Sequence, residues 1–109
     1  MIRVAVVSVG LCLWTAAAFA QDVRHGKQLF ADNKCGVCHS IAGTGNKKGP
    51  LDDVAANVSA NDIRTWITSA PEMAAKAKAD RKPPMKAYPA LSKQDVDDLV
   101  AYLQSLKTK

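Results

Sequence analysis

The sequence of 109 residues has few aromatic side chains, only two histidines and three cysteines, and these shortages exclude several kinds of site. A structural zinc site needs four ligands, normally from two Cys or His pairs, and the only histidine besides His39 is His25. A thioredoxin-like redox motif needs a sheet beside it, but no alternating apolar pattern is long enough for a convincing strand. Internal repeats and low-complexity segments are also lacking. The length predicts a single domain.

The first twenty residues are typical of an export signal rather than of a folded domain. Arg3 precedes a mostly apolar stretch, and Ala18 and Ala20 form the A-x-A pattern that signal peptidase accepts. A membrane-spanning helix needs about 20 apolar residues, and this run is borderline and ends in a cleavage site. We therefore predict a cleaved signal peptide over residues 1–20. The mature domain, residues 21–109, is then exported to the periplasm without stable membrane insertion.

Helical patterns dominate the mature region, which predicts an all-α domain of about four short helices. Ser59 and Ser92 stand where helix-capping residues are favoured, and Pro83-Pro84 is expected to end the third helix. The last helix should bury one apolar stripe, which consists of Val96, Leu99, Val100, Leu103 and Leu106. The four predicted segments are about Asp22 to Asp32, Ser59 to the residue before Pro71, Met73 to about Ala79, and a final helix that begins after Ser92.

The loop after the first predicted helix carries the motif with the clearest chemistry. Cys35-Gly36-Val37-Cys38-His39 is a C-x-x-C-H sequence, the signature of covalent haem attachment. Two thiols at this spacing can reach the two vinyl groups on one edge of a porphyrin, and the next histidine then lies beneath the iron. A bare disulfide would close only a tiny loop and would leave His39 unexplained. We therefore predict one covalently bound haem c per chain, with His39 as an axial ligand.

The second axial ligand has three candidates in the sequence: Met85, Met73 and His25. Met85 is favoured because the preceding Pro83-Pro84 makes a stiff, non-helical segment that can hold a thioether at a fixed distance. Met73 lies in a predicted helix, His25 on the first helix, and an open iron site is a further alternative. With histidine and methionine both bound, the iron has no vacant position and changes only by one electron. Methionine ligation also raises the reduction potential.

These features resemble the small class I bacterial cytochromes c, over nearly all of residues 22–107. The segment from Gly26 to Phe30 resembles the family's first helix, and the segment from Leu99 to Leu103 resembles its terminal helix. The resemblance implies that the glycine lets these two helices cross closely, with Tyr102 as its partner. The stretch before the predicted methionine ligand departs from the family, because it is rich in Ala and Lys instead of forming a Pro-Gly loop.

The same resemblance implies two residues that support the haem. Gly49-Pro50-Leu51 is similar to the family's Gly-Pro-x-Leu segment, which implies that the carbonyl of Pro50 accepts the N–H of His39. Trp66 is similar to the family's haem-facing tryptophan, which implies that it can donate a hydrogen bond to a propionate. The haem faces are expected to be covered by Phe30, Leu51, Trp66, Ile67, Leu91 and Leu99.

Charge and the absence of a catalytic pair bear on function. The net charge is +5 and the isoelectric point is near 9.3, and the export signal argues against nucleic acid as a partner. The basic residues expected around the haem mouth could instead guide acidic redox partners; they are Lys47, Lys48, Lys76, Lys78, Arg81, Lys82 and Lys86. No acid/base pair near the haem motif favours an enzyme.

We therefore expect a monomeric, soluble periplasmic electron carrier that exchanges electrons with redox proteins. Two alternatives remain open at this point. The first is an electron-transfer subunit of a larger periplasmic oxidoreductase. The second is a haem-based sensor or a peroxidase-like enzyme, which would require an open iron site.

Overall fold

A computed structural model of the protein describes residues 22–106 together with Ala5 and Gly10. The predicted signal peptide and its cleavage site therefore lie almost entirely outside the described residues. Within the described part, no helix is long and apolar enough to cross a membrane. The elements are α1 (Val23–Asp32), a one-turn 3-10 helix (Cys35–Val37), β1 (Ser40–Ile41), β2 (Thr44–Gly45), α2 (Val54–Asn57), α3 (Ala60–Thr68), α4 (Ala70–Ala77) and α5 (Lys93–Gln104).

The mostly helical architecture confirms the predicted all-α class, and two of its helices begin at the predicted caps. The Ser59 side chain accepts a hydrogen bond from the Asp62 backbone N–H at 3.1 Å, and Ser92 accepts one from Asp95 at 3.1 Å. Each such cap satisfies a backbone donor that the first helical turn leaves free. A cap of this kind contributes about 1 kcal/mol to the stability of the helix.

Three features of the helices differ from the prediction. The short α2 was not expected, since its four residues are too few to show a periodic pattern. The end of α4 is set by Lys78, which adopts a left-handed conformation (φ 53°), and not by Pro83-Pro84. Finally, α5 ends at Gln104, so Leu106 lies beyond the helix, although it still packs against the core.

The loop that follows the 3-10 helix also contains a small antiparallel hairpin, although no strand was predicted. Ser40 pairs with Gly45 and Ile41 pairs with Thr44. The two turn residues, Ala42 and Gly43, both have positive φ angles (50° and 80°), as a two-residue hairpin requires. A strand of two residues is too short for alternation to be visible in the sequence.

The first and last helices cross at Gly26, as the resemblance implied. A Cβ atom on Gly26 would collide with the backbone carbonyl of Asp98 and would lie 2.7 Å from the Cβ of Tyr102. Only glycine therefore permits this approach of α1 to α5. Next to the crossing, the rings of Phe30 and Tyr102 pack with their centroids 6.0 Å apart.

A buried carboxylate joins the start of α1 to α5. Asp98 is 3% exposed and accepts hydrogen bonds from the backbone N–H of Asp22 (2.9 Å), the Nδ1 of His25 (2.7 Å) and the side-chain amide of Gln94 (2.9 Å). Burial opposes ionisation of Asp98, but these three hydrogen bonds outweigh it and lower its pKa. The hydrogen bond to Asp98 in turn raises the pKa of His25. This network holds the start of α1 against α5.

The apolar core lies mainly between α3 and α5. Its buried cluster consists of Ile63, Ile67, Val96, Leu99, Val100 and Leu103. Four residues of this cluster, Ile63, Ile67, Leu99 and Leu103, also line the cavity described below, so the core borders that cavity on one side.

Candidate functional site

A cavity of about 690 Å³ borders the core on one side. Its volume lies within the roughly 300–1,000 Å³ that is usual for cofactor and ligand pockets. All six side chains that the sequence predicted to cover a haem line it, namely Phe30, Leu51, Trp66, Ile67, Leu91 and Leu99. Aliphatic residues such as Val54, Val58 and Ile63 add to this wall. Walls of this composition can cover a large apolar ring.

The 3-10 helix presents both predicted attachment residues to this cavity. The N–H groups of Cys38 and His39 both donate to the carbonyl of Cys35, at 3.1 and 2.9 Å, which closes a single tight turn. Cys35, Cys38 and His39 all line the cavity, and both thiols are free. Burial raises the pKa of the Cys35 thiol. The turn thus brings two thiols and one imidazole to the same wall.

The imidazole of His39 is held by a backbone carbonyl. Its Nδ1 lies 3.1 Å from the carbonyl oxygen of Gly49, and because a carbonyl can only accept, Nδ1 carries the proton. The other nitrogen, Nε2, then keeps the lone pair that a metal ion requires. Burial lowers the pKa of His39, the hydrogen bond to Gly49 opposes this effect, and the positive charge of Arg81 lowers the pKa further. The ring is therefore kept in the neutral form suited to a metal ligand.

The acceptor is Gly49 and not Pro50, so the role that the resemblance implied for the Pro50 carbonyl is wrong. The reason lies in the register of the loop. The N–H of Ser40 donates to the carbonyl of Gly49 at 3.0 Å, and the N–H of Leu51 donates to the carbonyl of Ser40 at 2.9 Å. This pairing points the Gly49 carbonyl toward His39, and Pro50 does not line the cavity.

Asn46 is a further support of the haem motif that sequence analysis missed. Its backbone N–H donates to the carbonyls of Gly36 and His39, at 3.0 and 3.1 Å, and its side-chain amide donates to the carbonyl of Val37 at 3.1 Å. Gly45, just before it, has φ +106°, and a Cβ there would collide with the carbonyl of His39. The Gly-Asn pair was visible in the sequence, but its contact with the motif depends on how the loop folds back.

Of the three candidates for the second axial ligand, Met85 is the one that lines the cavity. Pro83 and Pro84 line it as well, so the chain from Pro83 to Met85 lies along the wall. Met73 is 9% exposed and belongs to the buried core, away from the cavity. His25 is engaged with Asp98 at the helix crossing. Ligation by Met85 remains a prediction, as does a hydrogen bond from Trp66 to a propionate.

Tyr88 is another cavity residue that the sequence did not single out. Its backbone N–H donates to the carbonyl of Ile67 at 2.9 Å, which fixes the chain just after Met85 against α3. Burial raises the pKa of its phenol. The ammonium of Lys86 lies 5.5 Å from the centre of the Tyr88 ring, a cation–π contact at the cavity rim.

The basic residues predicted around the mouth are all exposed. Two of the seven, Arg81 and Lys86, line the cavity, and Lys34 joins them although it was not on the predicted list. Lys34 has a positive φ of 57° and is the residue from which the 3-10 helix starts. The cavity therefore has apolar walls and a positively charged rim.

The donor set and the walls fit a covalently attached haem. The free thiols of Cys35 and Cys38 line the cavity together with His39, whose Nδ1 already donates a hydrogen bond to Gly49. The thioether residue Met85 lines the same cavity from a separate segment, and the remaining lining is mainly apolar. When such a group is present, Cys35 and Cys38 would bind its edge, and His39 and Met85 would bind its iron.

Comparison with known proteins gives two matches. A family model described as cytochrome c matches residues 23–107. The chain is also 34% identical over 91 residues to a cytochrome c oxidase subunit 2 of Alkalihalophilus pseudofirmus. That match covers 75% of this chain but only 25% of the relative, so the chain spans a quarter of the relative's length. No solved structure matches the chain significantly.

Proposed function

This chain belongs to the cytochrome c family, and from that premise we propose that the mature protein is a soluble periplasmic one-electron carrier. Membership in the family implies electron transfer with haem. The observation that supports the carrier proposal most directly is that one cavity is lined by Cys35, Cys38, His39 and Met85. No other arrangement of thiols, imidazole and thioether exists in the part of the chain that the structure describes.

The roles of the chain's own residues follow from this arrangement. The thiols of Cys35 and Cys38 would hold one haem c covalently, and His39 and Met85 would bind its iron. When bound, the haem supplies an iron centre that gains or loses one electron. The carbonyl of Gly49 keeps the His39 ring in one tautomer and orientation, and the apolar walls would exclude water from the bound group.

Binding of the iron by both His39 and Met85 would favour a carrier over an enzyme, since it would leave no open iron position for a substrate. The positive rim of Lys34, Arg81 and Lys86 supports docking of partners with acidic surfaces. Such steering weakens as salt rises. Export by a cleaved signal peptide over residues 1–20 would deliver the domain, residues 21–109, to the periplasm as a monomer.

A second candidate is favoured by the relative that is named cytochrome c oxidase subunit 2. Because this chain corresponds to a quarter of that protein, an equivalent domain can be part of a larger assembly. In this version the chain delivers electrons while it is held in an oxidoreductase complex. Gel filtration of a native periplasmic extract separates the two: a free carrier elutes alone at the size of one domain, and a subunit elutes with its complex.

The decisive test of the carrier proposal is the visible spectrum of purified protein, oxidised and reduced, for the wild type and two variants. Wild-type and Met73→Leu proteins should both show the thioether–iron charge-transfer band when oxidised, and neither should bind carbon monoxide when reduced at neutral pH. Met85→Leu should lose the band and bind carbon monoxide. Loss of the band in Met73→Leu alone, or carbon monoxide binding by the wild type, would contradict the assignment.

A further inference from the structure

Arg81 lies between the cavity and the peptide that holds His39. Its side chain lines the cavity, and its guanidinium packs against Gly49, so that a Cβ at Gly49 would collide with the Nη1 of Arg81. The central Cζ of Arg81 would lie only 3.1 Å from that same position. The Arg81 side chain, which comes from the segment after α4, thus covers the backbone of Gly49 in the loop that follows the haem motif.

The peptide covered by Arg81 is central to the geometry of the site. The carbonyl of Gly49 accepts hydrogen bonds from both the Nδ1 of His39, at 3.1 Å, and the backbone N–H of Ser40, at 3.0 Å. Any group that moves or polarises this peptide therefore acts on the imidazole. No sequence pattern distinguishes Arg81 from the other basic residues that were predicted around the haem mouth.

Within residues 22–106, His25 forms an ion pair with Asp98 and Arg64 forms one with Asp97, and Arg81 takes part in neither pair. A guanidinium carries a full positive charge at neutral pH. Its full positive charge is therefore available beside the Gly49 peptide.

We propose that Arg81 is a positioning residue for electron transfer, which acts through the Gly49 peptide on His39 and raises the reduction potential of the iron centre. This inference rests on the proposed function. Two effects act in the same direction. A fixed positive charge favours the reduced centre, which carries one positive charge less. The same charge draws electron density from the Gly49 carbonyl, so the imidazole that it holds becomes a weaker electron donor to the iron.

The test compares the reduction midpoints of the haem-loaded wild type with Arg81→Gln, Arg81→Lys and the control Lys76→Gln. Lys76 is exposed on α4 and does not line the cavity, so its loss changes the net charge equally without touching Gly49. A unit charge about 10 Å from a redox centre, partly screened by water, changes the ratio of reduced to oxidised protein about five-fold. We expect Arg81→Gln to favour the oxidised form by about this factor, and Lys76→Gln by less than about two-fold.

A second readout is the NMR resonance of the His39 Nδ1–H in the reduced protein, which reports the hydrogen bond to Gly49. Arg81→Gln should shift this resonance, and Lys76→Gln should leave it in place. Arg81→Lys keeps the charge but not the planar contact with Gly49. Its reduction midpoint should therefore stay close to that of the wild type, and its His39 Nδ1–H resonance should shift. Equal midpoints for Arg81→Gln and Lys76→Gln would overturn the inference, as would a midpoint change with an unmoved Nδ1–H resonance.

Failure of this inference can be told apart from failure of the proposed function. If the wild type carries haem and shows a reversible one-electron midpoint, the proposed function stands whatever the Arg81 variants do. If the wild type shows no such midpoint, the proposed function itself is wrong.

Discussion

Replacement of Gly26 by alanine tests the helix crossing on which the fold depends. The added methyl group would collide with the Asp98 carbonyl and would lie 2.7 Å from the Asp98 carbonyl carbon and from the Tyr102 Cβ. The obstacles are backbone atoms and a side-chain root, neither of which can rotate away. Helix α1 must therefore move off α5, which loosens the packing of Leu29 and of the Phe30–Tyr102 ring pair.

The size of the effect follows from two opposing contributions. Alanine inside a helix is favoured over glycine by about 1 kcal/mol. Overpacking of a tight contact costs about 1–3 kcal/mol and occasionally more, and rigid neighbours place Gly26→Ala at or above the upper end. We expect a net destabilisation of about 2 kcal/mol, which corresponds to a melting temperature about 10 °C lower for a domain of this size.

The assay is thermal unfolding of the haem-loaded protein, followed by circular dichroism. Gly36→Ala is the matched control, because it adds the same methyl group where no atom of a more distant part of the chain lies within 4 Å. We expect Gly36→Ala to melt within a few degrees of the wild type. A melting temperature for Gly26→Ala equal to or above that of the wild type would refute the account of the crossing.

Two further predictions concern the helix crossing and the hairpin. Because the folded-state pKa of His25 is raised above 6.5, the pair with Asp98 stabilises the fold fully below about pH 6.5 and loses this contribution as pH rises through the raised value. Wild-type denaturant midpoints should therefore decline over that range, and Asp98→Asn should lose this part of the pH dependence; an equal decline in both proteins would contradict the pairing. Ala42→Gly should raise stability by about 0.5–1 kcal/mol, because glycine adopts the positive φ of this turn position without strain; a lower denaturant midpoint than that of the wild type would show that the turn is not strained by alanine.

Features set by neighbouring residues could be predicted from the sequence. The caps at Ser59 and Ser92 depend on residues three positions away, and the apolar stripe of α5 depends on one helix alone. The C-x-x-C-H motif carries its three functional groups within five residues. Their position on one wall of the cavity could therefore be predicted without knowledge of the rest of the fold. The close crossing at Gly26 was predicted from the resemblance to a family.

Features set by contacts between distant segments could not be predicted in the same way. The hydrogen bond from His39 to Gly49, and not to Pro50, depends on the pairing of Ser40 with the loop ten residues later. The partner of His25 lies 73 positions away on α5. The position of Arg81 over Gly49 likewise depends on how the segment after α4 returns to the haem motif.

The most direct test of the central claim is the intact mass of the exported, mature protein, made in cells with a functional cytochrome c maturation system. We expect the mass of residues 21–109 plus one haem, and we expect the added mass to stay on the polypeptide under denaturing conditions. Variants in which Cys35 and Cys38 are both replaced by alanine should lose it. A wild-type protein with the mass of the polypeptide alone would contradict the account.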